Sequence, residues 1–436
     1  MAQTDRAALP ARESLNPATI RRNFFALMMD YVLFGLALTI INPSVMPPDF
    51  VARLGGGPVL VGLAGLIFKV LWLMPQLFYA AWVNRAPRKK HYVTLPGIPG
   101  RAVFLVAAAL MVIVGPSQPA MLIALLLGSV AMLGFFDGQS AVAWMDVIGS
   151  SLPNEQRGWM IGWAQAVLGV VVALAISPLV RYVLGPYGLP FPQNYAALLA
   201  LAGILLLLGL AAYNFVQEGP SPPPEHSPTM REYRAFLVDV LRRDAAFRRY
   251  VVMRFAYDLS ALGLPFYIVF ATRRLRQTSA VAISDQVLLT TLTGIVAALV
   301  LGRLNFRYGP RLVIIIAAVA AALGPVLLLS TPLMGVLGLH LMWITIGLVN
   351  STFVPGFLNW VVEYAPQGYR PIYSGMANTI GALALLAPLV GGMIVQLASY
   401  EALFIVGAAL GGLTLFLALR LPDSRTLNAD VSPPAG

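Results

Sequence analysis

Along this chain, long apolar runs alternate with short polar stretches. A helix that spans a bilayer needs roughly 20 mostly apolar residues, and twelve segments approach that length. They lie near 23–46, 58–83, 98–115, 119–145, 158–183, 195–216, 248–271, 283–303, 311–330, 333–357, 373–398 and 401–420. The pattern therefore predicts an all-α membrane protein with twelve transmembrane helices.

Composition agrees with this class and excludes several others. The chain is 58% hydrophobic and 11% charged, whereas soluble domains carry roughly 25% charged residues. It has no cysteine, and its three histidines are far apart in sequence. Disulfides and metal sites are not expected, so we predict no bound cofactor. A phosphate-binding loop and a nucleophile constellation are also absent from the sequence, which argues against an ATPase or another enzyme.

Charge distribution indicates the orientation in the membrane. The formal net charge is +11, but the basic residues cluster in short segments between apolar runs, so we expect no nucleic-acid partner. Most of these segments fall on one side if both termini are cytoplasmic, as the positive-inside rule requires. We expect a multi-pass protein of the plasma (inner) membrane, surrounded by lipid and monomeric.

A polar stretch at 217–247 separates two sets of six helices. Its first part is rich in proline, and Thr229 to Phe247 has the pattern of a basic amphipathic helix resting on the membrane surface, with a regulatory docking site as the alternative. In chain order, the predicted units are a tail at 1–22, a bundle at 23–216, a linker at 217–247, a bundle at 248–420 and a tail at 421–436.

The two halves resemble each other. Asp30 matches Asp258, and Arg85 matches Arg307, each in a corresponding helix or loop. Further matches in the same order join Arg157 to Arg370, Gln165 to Asn378 and Asp137 to Asn350. Parallel repeats of six helices are typical of one large class of secondary transporters.

The chain resembles the major facilitator superfamily, whose pattern after the second helix is Gly-x-x-x-Asp-Arg-x-Gly-Arg followed by two basic residues. Arg85, Arg88 and the two lysines after it match that pattern, while the acidic position is lost in both halves. The resemblance implies a gate at the cytoplasmic end, where loop arginines pair with acids at helix ends. An alternative is that these residues only fix the topology. The residues concerned are Arg85, Arg88, Asp146, Arg157, Arg307, Glu363 and Arg370.

An ionisable residue inside a predicted span is expensive and marks function or pairing, and four such positions stand out. They are Asp30, Lys69, Asp137 and Asp258. We expect Lys69 to group with Asp30 and Asp137 in coupling to an ion. The alternative is that Lys69 only neutralises one of these acids. Asp258 lies one turn after Arg254, which favours a structural ion pair.

Polar residues on the helices that line the cavity in this family are candidates for substrate contact. They are Asn42, Gln139, Gln165, Asn350 and Asn378. Pro355, just after Asn350, would kink the tenth helix, which is tolerated where a backbone lines a cavity. The few polar groups favour an amphipathic or partly lipophilic solute.

The expected function is secondary active transport of a small solute by alternating access, coupled to H⁺ or Na⁺. Two alternatives remain: a lipid or amphiphile translocase of the same fold, and a membrane sensor or scaffold that does not transport. The glycine-rich fifth-helix signature of drug/proton antiporters is missing, with only Pro178 kept, which makes multidrug export less favoured.

Overall fold

The computed structural model describes residues 16–76, 79, 83, 86, 88–219, 240, 242–365 and 370–426. Within them the chain is built from helices, of which eleven are long and apolar enough to cross a membrane and one more is shorter. In chain order they are α1 Pro17–Ile41, α2 Pro58–Leu73, α3 Lys90–Val114, α4 Pro119–Ser151, α5 Glu155–Val183, α6 Gln193–Tyr213, α7 Ala245–Arg273, α8 Ser279–Tyr308, α9 Pro310–Leu329, α10 Val336–Tyr364, α11 Tyr373–Leu397 and α12 Tyr400–Leu419. The all-α fold with twelve spanning helices is confirmed.

Several of these helices start and break where the sequence dictates. Asn16 caps α1 by accepting a hydrogen bond from Ala18 N, and prolines occupy the first turns of α2, α4 and α9, where a missing N–H costs nothing. Four helices change to a π or 3₁₀ turn close to an internal proline, which cannot donate to the preceding turn. The irregular turns are Val172–Ile176 in α5, Ala261–Gly263 in α7, Phe353–Leu358 in α10 and Ala384–Leu386 in α11.

The helices form two bundles, α1 to α6 and α7 to α12, joined along two seams. One seam packs α2 against α11, and the other packs α5 against α8. Because α8 is the repeat equivalent of α2 and α11 that of α5, the two seams are related by the pseudo-symmetry seen in the sequence. A short helix, Met46–Arg53, connects α1 to α2 and packs on α7.

Within the described ranges, the two bundles share an apolar core at one end of the molecule only. We call the end where α1 begins and α12 ends the terminal end, and the opposite end the distal end. The largest buried cluster lies distally and draws side chains from both bundles, such as Val61, Ile176 and Phe266. Towards the terminal end each bundle has its own core. The two bundles are therefore fused distally and separate terminally.

Most of the predicted linker lies outside the described residues, including most of the amphipathic helix expected at Thr229 to Phe247. The described part begins again at residue 240, and Asp244 caps α7 by accepting from Phe247 N at 2.8 Å. The predicted boundaries of the units stay predictions.

Candidate functional site

Glycines bring the helices of the distal seam into close contact. A Cβ on Gly62 of α2 would lie 2.3 Å from the carbonyl oxygen of Pro388 in α11, and one on Gly392 would lie 2.7 Å from the carbonyl oxygen of Pro58. A Cβ on Gly65 would collide with the Pro265 ring of α7 at 2.2 Å. Only glycine allows this approach, so the distal seam is closed by backbone-to-backbone packing.

Polar bonds reinforce the distal closure. Asn42 Nδ2 donates to Gln286 Oε1 at 2.9 Å, and Ser177 Oγ donates to the carbonyl oxygen of Ser284 at 3.0 Å. Asn42 follows the end of α1 at Ile41 and, with φ +32°, turns its side chain onto the other bundle, while its predicted contact with substrate stays a prediction. Asn42 is a residue of the distal closure.

Asp49 is a buried acid that the sequence reasoning missed. It lies in the connecting helix Met46–Arg53, where Tyr195 Oη donates to its carboxylate at 2.5 Å and Arg53 Nε lies 3.8 Å away. The only signal in the sequence was an acid that follows two prolines and precedes apolar residues, in a stretch too short to span the membrane. Its burial comes from the packing of this helix against α2 and α7, together with the Tyr195 side chain of α6.

At the terminal end the predicted gate residues bond within their own bundles. Lys89 Nζ donates to Asp146 Oδ2 at 2.5 Å, so the acid at the end of α4 is held by a loop lysine. Arg157 donates to carbonyl oxygens of Leu152 and Gly149 and thereby caps α4. Arg88 is exposed. Arg85 lies outside the described residues.

The second-half gate residues also differ from the expected pairing. Glu363 lies 3.5 Å from Arg425 Nε and accepts from Ser424 Oγ at 2.9 Å. Arg307 instead places its guanidinium 5.3 Å from the ring of Tyr308, and Arg370 is exposed. Glu363 therefore contacts the segment after α12, which folds back onto α10, and the gate role implied for Arg307 stays a prediction. Within the described residues no ion pair joins the two bundles at this end.

Asp30 lies at the centre of the first bundle and is paired with Arg101 of α3. Arg101 Nη1 donates to Asp30 Oδ1 at 3.2 Å and to the carbonyl oxygen of Leu206 at 3.0 Å, while Trp144 Nε1 donates to Asp30 Oδ2 at 2.9 Å. Both charged side chains are less than 5% exposed. Sequence reasoning missed Arg101, although it lies inside the predicted third span.

Asp137 lies on α4 close to this pair but has a different environment. Its carboxylate accepts one hydrogen bond, from Trp72 Nε1 of α2 at 2.9 Å, and the residue is half-buried. Arg101 is within electrostatic range of it. Helices α2 and α4 approach closely here, since a Cβ on Gly138 would lie 2.2 Å from the carbonyl oxygen of Trp72.

Lys69 faces the second bundle, which corrects the expected grouping. In a helix Lys69 shares a face with Gly62 and Gly65, and both glycines touch the second bundle. Its side chain is exposed, and the charges within its electrostatic range are those of Asp258 and Arg254 in α7. Lys69 is therefore not the partner of Asp30 or Asp137.

The predicted ion pair between Arg254 and Asp258 is confirmed. Arg254 Nε donates to Asp258 Oδ2 at 2.8 Å. The guanidinium lies 4.6 Å from the ring centre of Phe357 and 5.1 Å from that of Phe353, both in the π turn of α10. Gly381 of α11 makes room for the carboxylate, because a Cβ there would lie 2.7 Å from Asp258 Oδ2.

The remaining residues that were predicted to contact substrate have exposed or half-buried side chains. Gln165, Asn350 and Asn378 are exposed, and Gln139 is half-buried. Gln165 Nε2 donates weakly to Tyr31 Oη at 3.4 Å. These four stay candidates for substrate contact, since they lie between the distal seam and the terminal end.

Comparisons with known proteins agree with this arrangement. The family model described as Major Facilitator Superfamily matches residues 27–386 and 277–435. An uncharacterized protein of Mycobacterium tuberculosis is 24% identical over 98% of this chain and 82% of its own length. Multidrug resistance protein MdtG of Salmonella paratyphi C is 24% identical over 92% of this chain and 95% of its own.

Solved structures share the fold at low sequence identity. A D-xylose–proton symporter superposes with a TM-score of 0.70 at 13% identity, covering 93% of this chain and 99% of its own. A bacterial homologue of the iron transporter ferroportin, in an inward-facing state, gives 0.67 at 15% identity, covering 92% and 98%. Together with the family match across the helices, these findings show that the chain is a multi-pass membrane protein that belongs to the Major Facilitator Superfamily.

Proposed function

We propose that this protein is an ion-coupled secondary transporter, not an enzyme, that moves a small amphipathic solute by alternating access. The observation that carries the proposal is closure at one end only. The two bundles share glycine contacts, hydrogen bonds and an apolar core distally, whereas terminally their cores are separate. Rocking about such seams exposes a central site to each side in turn.

The arginine-rich loops support an orientation with both termini in the cytoplasm of a bacterial cell. In that orientation the terminal end faces the cytoplasm, and the described conformation is open inward. Rocking outward would break the Asn42–Gln286 bond and bring the terminal ends of α5 and α8 closer, since the two helices already touch near their midpoints, at Gly169 and Ile295.

Asp137 is the acid best placed to bind the coupling ion. Both carboxylate oxygens of Asp30 are occupied by Arg101 and Trp144 in a buried site. Asp137 has one hydrogen bond and is half-buried, so it can exchange a proton or bind Na⁺ without breaking an ion pair. Its bond to Trp72 of α2 links its charge state to the helix that forms the distal seam with α11. The coupling role therefore falls to Asp137 and not to Asp30.

Proton flux in proteoliposomes loaded with a pH-sensitive dye tests this proposal. A pool of candidate solutes that drives proton movement with the wild type should do so at least about tenfold more slowly with Asp137→Asn. The charge-matched control is Glu401→Gln, an exposed carboxylate in the first turn of α12, which should leave the flux unchanged. Unchanged pH-dependent flux in Asp137→Asn would remove it from the coupling role.

One observation favours a lipid or amphiphile translocase as a second candidate. Trp159 and Trp163 lie on one face of α5 towards the terminal end, are 67% and 56% exposed, and line a surface groove with Gly158 and Gly162. Aromatic side chains along such a groove are suited to contact an acyl chain from the side. Movement of a fluorescent phospholipid between leaflets of the same proteoliposomes would support this function, and ligand binding without any flux would support a sensor.

A further inference from the structure

The space between α2 and α7 holds an excess of positive charge. Lys69 and Arg254 are cations, and among the residues that the structure describes Asp258 is the one carboxylate within electrostatic range of both. Asp258 is bonded to Arg254 at 2.8 Å. Among the described residues Lys69 has no hydrogen bond and no ion pair within 4.0 Å. A charge at this depth without a partner is costly in a membrane protein, so the site lacks one negative charge.

An aromatic surface lies next to this charge. The guanidinium of Arg254 contacts the rings of Phe353, Phe357 and Tyr257, with centroid distances of 5.1, 4.6 and 6.0 Å. Phe357 is 1% exposed, but Phe353 is 41% exposed, so its ring is accessible beside the Arg254 guanidinium. Ligand sites combine such apolar walls with a few fixed polar groups that set orientation.

The position of Lys69 makes the charge accessible. Seven residues separate it from Gly62, so it lies about 10 Å along α2 from the distal seam, on the terminal side. Gly62 and Gly65 close the seam against α11 and α7. Lys69 is therefore the first charged side chain on this face of α2 on the terminal side of the distal seam. It lies where the space that is open terminally begins.

We propose that this site binds an amphipathic organic anion, with its carboxylate or equivalent acid between Lys69 and Arg254 and its apolar body against Phe353. The proposal rests on the transport function above and names the substrate class for it. An organic cation would meet Lys69 without a free acid to receive it, because Arg254 already neutralises Asp258. Binding across α2 and α7 also joins the two bundles, so an anion placed there affects their rocking.

Three probes of the same size and different charge test the class. The purified protein is titrated with 2-naphthoate, 2-naphthamide and 2-naphthylmethylamine, and the thermal midpoint and tryptophan fluorescence are recorded. We expect saturable stabilisation by the anion, with the amide and the amine at least about tenfold weaker, because a charge-assisted hydrogen bond contributes roughly this factor or more. Equal effects of all three, a preference for the amine, or no effect up to the solubility limit would overturn the proposal.

Variants assign the effect to the site. Lys69→Gln should weaken naphthoate binding about tenfold or more, and Lys69→Arg, which keeps the charge, should restore most of it. Phe353→Ala should weaken naphthoate binding while keeping its preference over the amine, which gives a second measurement if Lys69→Gln does not fold. Unchanged binding in a folded Lys69→Gln would overturn the proposal.

The transport and anion proposals fail differently. If naphthoate binds through Lys69 but no solute moves in proteoliposomes, the anion site stands and the transport function is wrong. If Asp137-dependent flux is found for neutral or cationic solutes and naphthoate does not bind, transport stands and the substrate class is wrong.

Discussion

Removing Arg101 should destabilise the first bundle strongly. Arg101→Leu leaves the Asp30 carboxylate buried at less than 5% exposure with Trp144 as its remaining donor, and frees the carbonyl oxygen of Leu206. Breaking a buried ion pair by removing one partner costs about 3–5 kcal/mol, because the other charge stays buried. We expect a loss of that size in the free energy of unfolding.

The assay is SDS-induced unfolding in mixed micelles, followed by circular dichroism, for each purified variant. Asp30→Asn combined with Arg101→Leu removes both charges and keeps an acceptor for Trp144, so it should be about 2 kcal/mol more stable than Arg101→Leu alone. Arg303→Leu is the matched control, because Arg303 is exposed; its change should stay within about 0.5 kcal/mol. A cost below about 1 kcal/mol for Arg101→Leu, or a double variant no more stable than the single one, would refute the reasoning.

Two further predictions follow from the contacts of α2. In the flux assay, a second change of Asp30→Asn or Asp137→Asn should not restore activity that Lys69→Met removes, because Lys69 faces α7 and not these acids; rescue by either change would contradict this. Gly138→Ala should lower the thermal midpoint, because its Cβ would lie 2.2 Å from a backbone oxygen of α2, while Gly128→Ala, with open space around it, should not; equal midpoints would contradict the close packing.

Features local in sequence were predictable. Apolar runs gave the positions of the spanning helices, since a run of about 20 apolar residues has few other solutions. Arg254 and Asp258 lie four residues apart on one helix, and their ion pair follows from that spacing. The repeat predicted two related halves, and the symmetric packing of α2 on α11 and of α5 on α8 agrees with it.

Features that depend on tertiary packing were not predictable from one sequence. Lys69 was grouped with the wrong acids, because the charges near it depend on which face of α2 meets the second bundle. Arg101 was not predicted as a functional residue, because its partner, Asp30, lies two helices away in the sequence. Asn42 looked like a cavity residue, but the end of α1 turns it towards Gln286. In each case the residue type was visible and its neighbour was not.

Distances between spin labels test the central claim, alternating access between two bundles, most directly. The chain has no cysteine, so labels can be placed in pairs without background. One pair, at Glu155 and Phe306, spans the terminal end, and the other, at Tyr187 and Leu333, spans the distal end; all four residues are exposed. Changing pH or adding 2-naphthoate should shorten one distance as the other lengthens. Two distances that stay fixed, or that change in the same direction under every condition, would contradict the account.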